Sequence, residues 1–328
     1  MSHREIKNKI NPFIKAAILL IIVTACSKEG YPPDAKPDPE LIRRDSITAL
    51  LKKDMNSDTI KSYVVWLQNF GTRFALADNH KRVAQSIMQK FIELGLTDTH
   101  LDSFQISTEW WGHAYNVWQY NVVAHLHGSV QPDSLTVIGA HYDDIVSSGD
   151  PFASAPGADD NASGVAATLE IARVMVKNHF TPRGSINFVA FAAEELGLLG
   201  SQSYADKEVI RGDKIIMMIN NDMISYESDA NQVKWQVNII AYPWAISLLD
   251  EAIYCCSRYL QISPVNDNTN YKRSDSYSFY QKGIKAVYFA ARNTNPNYHT
   301  LNDIQDNSNF LYCRSVAQLS CAMLLSKN

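Results

Sequence analysis

Two adjacent glutamates, Glu194 and Glu195, follow the apolar run INFVAF and two alanines. The apolar run predicts a buried strand, so the two carboxylates stand at the end of a buried element. Neighbouring carboxylates repel each other, and burial raises the free energy of ionising either one. A divalent cation would remove this cost, which raises the question of whether other metal ligands lie nearby.

Acidic residues, histidines and one tyrosine also follow other predicted strands or occupy the loops between elements. The candidates are His141, Asp143, Asp144, Asp159, Asp160, Asp222, Tyr298 and His299. In open α/β sheets, ligands bind outside the carboxyl ends of the strands, so we expect these side chains in one cleft. An acid after a strand is commonly a helix cap, and only the combination carries the argument. Histidine and carboxylate ligands without thiolate favour zinc, with manganese or cobalt as substitutes.

The elements that would position these residues alternate between strands and helices. Strand patterns include YNVWQYNVVAHLHG, SLTVIGAHYD, KIIMMINNDM and IKAVYFAAR, and helical spacing is found in HKRVAQSIMQKFIELG and FLYCRSVAQLSCAMLLSK. This alternation predicts an α/β fold with a mostly parallel, mixed central sheet and helices on both faces. We predict a single domain over residues 46–328, because no second core is visible.

The N-terminus is typical of an exported lipoprotein. Basic residues precede the short apolar run AAILLIIV, which predicts a signal peptide over residues 1–25. The ending VTAC resembles a bacterial lipobox, which implies cleavage before Cys26 and lipid attachment to its thiol. The proline-rich residues 26–45 predict a tether. We therefore expect a protein of the bacterial cell envelope that contacts the membrane only through this anchor, with the outer membrane favoured. An ordinary signal peptide is the alternative.

Charge and cysteine content narrow the possible partners. The formal net charge is −4, and removal of residues 1–25 would leave −7, which argues against nucleic acid as a partner. We expect a monomer. No CxxC pair is present, and the predicted role of the cysteines is to pack as small apolar side chains, although a bridge between two helices is an alternative. These cysteines are Cys255, Cys256, Cys313 and Cys321.

Five short motifs, GAHYD, GADDNASG, AAEELGLLGS, NNDM and YHTLND, occur in this order, within a resemblance that covers roughly residues 60–326. Together they resemble the M28 family of zinc aminopeptidases. The resemblance implies two zinc ions, one held by His141 and Asp222, the other by Glu195 and His299, with Asp159 bridging both. Mn²⁺ or Co²⁺ are possible substitutes for zinc.

The same resemblance assigns further roles. Glu194 would be the general base that takes a proton from the attacking water and passes it to the leaving amine. Asp143 would orient His141 through its second ring nitrogen, and Tyr298 would stabilise the developing oxyanion. It also suggests a non-proline cis peptide between Asp159 and Asp160.

One segment departs from the family pattern. In KRSDSYSF, Asp275 is kept, but Ser276 stands where the family usually has histidine. This position is not a metal ligand in the family, so the departure concerns the pocket for the substrate side chain.

The function implied is hydrolysis of N-terminal amino acids from peptides with a free N-terminus. One alternative is a glutaminyl-peptide cyclase, an enzyme class that has a similar fold and uses one zinc ion. A second alternative, from another class, is a non-catalytic binding ectodomain. Such relatives typically lose ligands, whereas this chain keeps every ligand position and the base.

Overall fold

The computed structural model describes residues 38–327. Residues from Arg44 onward form one compact unit, and the features discussed below lie in it. The predicted signal peptide and Cys26 lie outside the described residues. The first helix, α1, spans Pro39–Asp54, so the end of the predicted tether (residues 26–45) is helical rather than extended. Within residues 38–327, no helix is both long and apolar enough to cross a membrane.

An eight-stranded sheet forms the centre of the unit. Its strands, in chain order, are β1 Thr99–Trp110, β2 His113–Leu126, β3 Gln131–His141, β4 Gly184–Phe191, β5 Lys214–Asn221, β6 Gln236–Ala241, β7 Ser263–Val265 and β8 Ala286–Ala291. Their spatial order is β1-β2-β4-β3-β5-β8-β6-β7. The central strands β4, β3, β5 and β8 are parallel, and antiparallel pairs join β1 to β2, β2 to β4 and β6 to β8. The mixed, centrally parallel sheet is therefore as predicted.

The remaining helices cover the sheet. They are α2 Ser57–Gln68, α3 His80–Glu93, α4 Ser163–Lys177, α5 Leu199–Arg211, α6 Ile246–Tyr259, α7 Ser276–Gln281 and α8 Phe310–Leu325. Helix α4 is buried along almost its whole length between the sheet and helices α2 and α8. Its sequence is accordingly rich in apolar residues, and its buried Glu170 is paired with Arg173.

The central strands are buried on both faces, which explains their continuous apolar runs. Every residue of β4 is buried, and β3 is buried from Leu135 to His141. Because β3, β4, β5 and β8 are parallel, their carboxyl ends meet at one edge of the sheet. The four described cysteines are buried and free, so the expected apolar packing holds and the alternative disulfide is absent among them.

Candidate metal centre and its family

His141 is the last residue of β3 and is almost completely buried. Its Nδ1 lies 3.1 Å from the main-chain oxygen of Asp143. A carbonyl oxygen only accepts, so Nδ1 carries the proton and Nε2 keeps its lone pair for a ligand. The second ring nitrogen is thus oriented as a metal-binding histidine requires.

The predicted role of Asp143 needs a correction. Its carboxylate is 3.8 Å from His141 Nδ1, beyond hydrogen-bond distance. The two carboxylate oxygens instead accept hydrogen bonds from the main-chain N–H groups of Glu194 (3.0 Å) and Glu195 (3.2 Å). Asp143 therefore holds His141 through its main chain and the two glutamates through its side chain.

Asp160 lies at the centre of the cluster. One carboxylate oxygen is 3.3 Å from His141 Nε2, and the other is 3.1 Å from His299 Nε2. Asp160 is followed by a cis peptide bond to Asn161. The carboxylate thus lies between two histidines that are far apart in the sequence.

The bridging position was assigned to Asp159 from the sequence, and this assignment is wrong. Oδ1 of Asp159 accepts hydrogen bonds from the main-chain N–H of Ser225 (2.7 Å) and from its hydroxyl (2.9 Å). Its Oδ2 accepts a hydrogen bond from Asn295 Nδ2 at 2.9 Å. The carboxylate therefore has neutral protein donors on both oxygens, and the shared position belongs to Asp160. The expected cis peptide is likewise one residue later, at Asp160–Asn161.

Asp303 supports the loop that carries these two aspartates. Its two carboxylate oxygens accept the main-chain N–H groups of Asp159 and Asp160, each at 3.0 Å. Its own main-chain oxygen accepts the N–H of Ala158 at 2.9 Å. Asp303 is the last residue of the motif YHTLND, and no role was predicted for it from the sequence. Asp303 is more than 140 residues from Asp159 and Asp160 in the chain, so no local sequence pattern connects it to them.

Asp222, just after β5, completes the group around His141. Its Oδ1 lies 3.4 Å from His141 Nε2, and its Oδ2 accepts a hydrogen bond from the Ser274 hydroxyl at 2.6 Å. Oδ1 is buried, and no donor among the described residues bonds to it. A buried carboxylate oxygen without a donor is costly, so this atom fits a cation at the cluster.

The two glutamates differ in their surroundings. Glu195 Oε1 lies 3.0 Å from His299 Nε2. The nearest ionisable partner of Glu194 is His141, with Oε2 3.9 Å from Nε2, and no described group donates a hydrogen bond to its carboxylate. Glu195 is therefore grouped with His299 and Asp160. The carboxylate of Glu194 lies beside the cluster without a hydrogen-bond donor among the described residues.

Tyr298 precedes His299 and lines a cavity of about 400 Å³, whose wall also includes His141, Asp160 and Asp222. Its ring stacks on the imidazole of His299, with ring centroids 3.8 Å apart. The residue as a whole is 43% exposed.

The charges of the cluster shift the ionisation of its members in the protein without metal. Burial raises the pKa of Glu195 to about 8, and the nearby Asp160 adds to the effect. Burial also raises the pKa of Glu194 well above its usual range. Burial alone would raise the pKa of Asp160, but the neighbouring His141 and His299 outweigh it and lower that pKa.

The segment with Ser276 in place of the usual histidine contacts the cluster through Ser274. Ser274 contacts Asp222, as described above, and the hydroxyl of Ser276 lies 2.8 Å from that of Tyr242. Asp275 is fully buried, and burial raises its pKa to about 7. Ser276 thus makes a structural contact within the fold and does not line the cavity.

Residues 121–324 match the sequence profile of peptidase family M28. The chain belongs to this family. It is 28% identical over 283 residues to a protein named probable leucine aminopeptidase from Arthroderma otae, covering 83% of this chain and 73% of that one. It is 38% identical over 148 residues to a probable zinc metalloprotease from Pyrenophora tritici-repentis, covering 45% of this chain and 33% of the relative. The M28 chain is thus a peptide hydrolase of a zinc-dependent type.

Solved structures share the fold of this M28 chain. The LapA aminopeptidase of Legionella pneumophila superposes with a TM-score of 0.73 at 24% identity, covering 93% of this chain and 80% of that one. The glutaminyl cyclase of Bacteroides thetaiotaomicron superposes with a TM-score of 0.66 at 17% identity, covering 84% of this chain and 99% of that one. At these identities the superpositions establish the fold alone.

Proposed function

We propose that the chain is a di-zinc aminopeptidase in which Asp160 bridges the two ions and Glu194 is the general base. The observation that carries this proposal is the position of Asp160 between His141 and His299. Each histidine also lies close to a second carboxylate. Asp222 is near His141, and Glu195 is near His299.

The donor set fits two zinc ions. It consists of two imidazole nitrogens and three carboxylates, which are ligands that zinc accepts. Each ion would have two ligands of its own and share Asp160. The donor-free Oδ1 of Asp222 would gain a partner, and the self-repulsion among the acids would be offset. Mn²⁺ or Co²⁺ would suit the same nitrogen and oxygen donors.

When bound, the ions polarise the substrate carbonyl and lower the pKa of water at the site. The other carboxylates of the proposed site are either proposed ligands or hydrogen-bonded to protein donors. The carboxylate of Glu194 is neither. It is therefore placed to take a proton from the attacking water and to deliver it to the leaving amine. The Tyr298 hydroxyl lines the same cavity and would donate a hydrogen bond to the developing oxyanion.

The acidic residues that line the cavity, Glu194 among them, would favour a substrate with a free α-ammonium group. Binding of this group beside the acids would place the first peptide bond of the chain at the metal centre, which is the register of an aminopeptidase. The relatives named leucine aminopeptidase agree with this expectation.

A panel of aminoacyl anilides, free peptides and N-acetylated peptides tests the proposal with the zinc-loaded protein. We expect release of single N-terminal residues from the free peptides and anilides, and no cleavage of the acetylated peptides. Equal rates on acetylated and free peptides would contradict the aminopeptidase assignment. Binding of zinc without hydrolysis across the panel would favour the non-catalytic ectodomain.

Glutaminyl cyclisation is the second candidate, because a solved glutaminyl cyclase shares the fold. The cyclase reaction uses the substrate's own amine as nucleophile and needs no activated water. A peptide with N-terminal glutamine separates the two reactions: the aminopeptidase releases free glutamine, whereas the cyclase yields a pyroglutamyl peptide without shortening the chain.

Lipid anchoring in the bacterial envelope is a separate proposal that rests on residues 1–26 of the sequence. Metabolic labelling with an alkyne fatty acid tests it. We expect label in the wild-type protein and none after Cys26→Ala, with the variant released from the membrane fraction. Equal labelling of both proteins would contradict lipidation at Cys26.

A further inference from the structure

A second group of metal-ligating side chains lies outside the cavity. Asp98, His125 and His127 each offer one ligand atom, and these atoms lie within 4.8 Å of one another. Asp98 directly precedes β1, and the two histidines stand at the end of β2. The imidazole centroids of His125 and His127 are 4.3 Å apart.

The position of this group separates it from the catalytic centre. His125 pairs with Asn187 of β4, whereas His141 pairs with Phe191, four residues further along the same strand. At about 3.3 Å per residue, the group lies more than about 13 Å from the carboxyl ends of the strands. None of its three residues lines the cavity.

The surroundings of His125 fix which nitrogen is free. Its Nδ1 lies 2.5 Å from Oδ1 of Asn187, and Nδ2 of Asn187 donates to the buried Tyr204 hydroxyl at 2.8 Å. With the amide oriented in this way, Nδ1 of His125 must carry the proton. Its Nε2 then keeps the lone pair that a metal ion requires, which is the arrangement by which neighbouring groups orient metal-binding histidines.

The other two ligand atoms are already close together. Nε2 of His127 lies 3.0 Å from Oδ2 of Asp98. The corresponding histidine–carboxylate distances in the catalytic cluster are 3.0 Å for His299–Glu195 and 3.4 Å for His141–Asp222. A tetrahedral zinc ion with bonds of about 2.0–2.1 Å separates its ligands by about 3.3 Å, so small side-chain rotations suffice. The exposed side chains of His127 and Asp98 are free to make them.

We propose that Asp98, His125 and His127 form a third divalent-metal site of the zinc type. Three protein ligands leave one position for water. The main-chain N–H of His125 donates to the main-chain oxygen of Asp98 at 2.8 Å, so the ligands belong to two segments that are already joined. A bound ion would fasten the segment after α3 to the end of β2.

Zinc content after equilibrium dialysis of the full-length protein at buffered free Zn²⁺ tests the proposal. Compared with wild type, His125→Ala and His127→Ala should each contain one equivalent less zinc, with unchanged aminoacyl-anilide hydrolysis. His100→Ala is the matched control, because His100 is an exposed histidine on β1 and is not part of the group. Equal zinc content in wild type, His127→Ala and His100→Ala would overturn the proposal.

Histidine modification gives a second readout on the wild-type protein that does not depend on variant folding. Diethyl pyrocarbonate reacts with accessible imidazole, and mass spectrometry locates the adducts. Added Zn²⁺ should slow modification of His127 at least several-fold while leaving His100 unaffected. Equal effects of Zn²⁺ on both histidines would mean adventitious binding only and would also overturn the proposal.

Discussion

Asp159 and Asp160 are consecutive in the chain, yet their carboxylates serve different parts of the molecule. The carboxylate of Asp160 lies between His141 and His299, whereas that of Asp159 is bonded to Ser225 and Asn295. Asp303 accepts the main-chain N–H groups of both aspartates and so fixes the loop in this arrangement. The pair is therefore one candidate ligand next to one structural residue.

This relationship predicts opposite outcomes for two isosteric substitutions. Asp160→Asn should remove the shared ligand, so the protein should lose zinc and its peptidase activity should fall by at least about 10²-fold. Asp159→Asn should keep most of its zinc, since an amide oxygen can still accept the Ser225 hydrogen bonds. Zinc analysis by elemental spectrometry and anilide hydrolysis provide the two measurements. Greater zinc loss in Asp159→Asn than in Asp160→Asn would restore the assignment made from the sequence.

The sequence was sufficient for the parallel centre of the sheet and for the set of residues at its edge, because continuous apolar runs and polar strand ends are local signals. It did not predict the edge strand β1. It could not decide between Asp159 and Asp160, since both lie in the same motif and only contacts to distant segments distinguish them. The roles of Asp303 and of the Asp143 carboxylate depend on hydrogen bonds to residues far along the chain. Strand β7, with three residues, is too short to leave a periodic pattern.

Glu194→Gln tests the role of the free carboxylate. The amide has nearly the same shape but cannot accept a proton at neutral pH, so kcat should fall by about 10²–10⁴-fold. Zinc content should remain that of the wild type, because Glu194 is not assigned as a ligand. Steady-state hydrolysis of an aminoacyl anilide and elemental analysis check both expectations. A variant with nearly wild-type kcat would rule out Glu194 as the base.

Asp303→Asn tests whether this residue positions the ligand loop. An amide can accept only one of the two main-chain N–H groups through oxygen, so the N–H of Asp159 or Asp160 would lose its partner. We expect zinc affinity to fall by about 10–100-fold, as for other residues that orient metal ligands. Competition with a fluorescent chelator measures the affinity. Asp306→Asn, an exposed neighbour, is the control, and equal affinities in the two variants would exclude the positioning role.

Asp143→Asn should separate the side-chain role of Asp143 from its main-chain role. The main-chain oxygen would still accept the His141 hydrogen bond, but one of the Glu194 and Glu195 N–H groups would lose its acceptor. A buried donor without a partner costs about 1–3 kcal/mol, so we expect lower thermal stability and reduced kcat. Differential scanning calorimetry and anilide hydrolysis measure the two effects. Unchanged stability and kcat would show that the carboxylate contacts are dispensable.

Gly164→Ala probes the packing that places Asp222 beside the cluster. A Cβ added at Gly164 would lie 2.2 Å from the main-chain oxygen of Asn221 and 2.6 Å from Oδ1 of Asn161. The main-chain oxygen of Asn221 can move only together with the end of β5, so the overpacked variant should be destabilised by about 1–3 kcal/mol. Because Asn221 directly precedes Asp222, zinc affinity should fall together with the unfolding temperature. A variant that unfolds at the wild-type temperature with unchanged zinc affinity would show that helix α4 does not fix the position of this ligand.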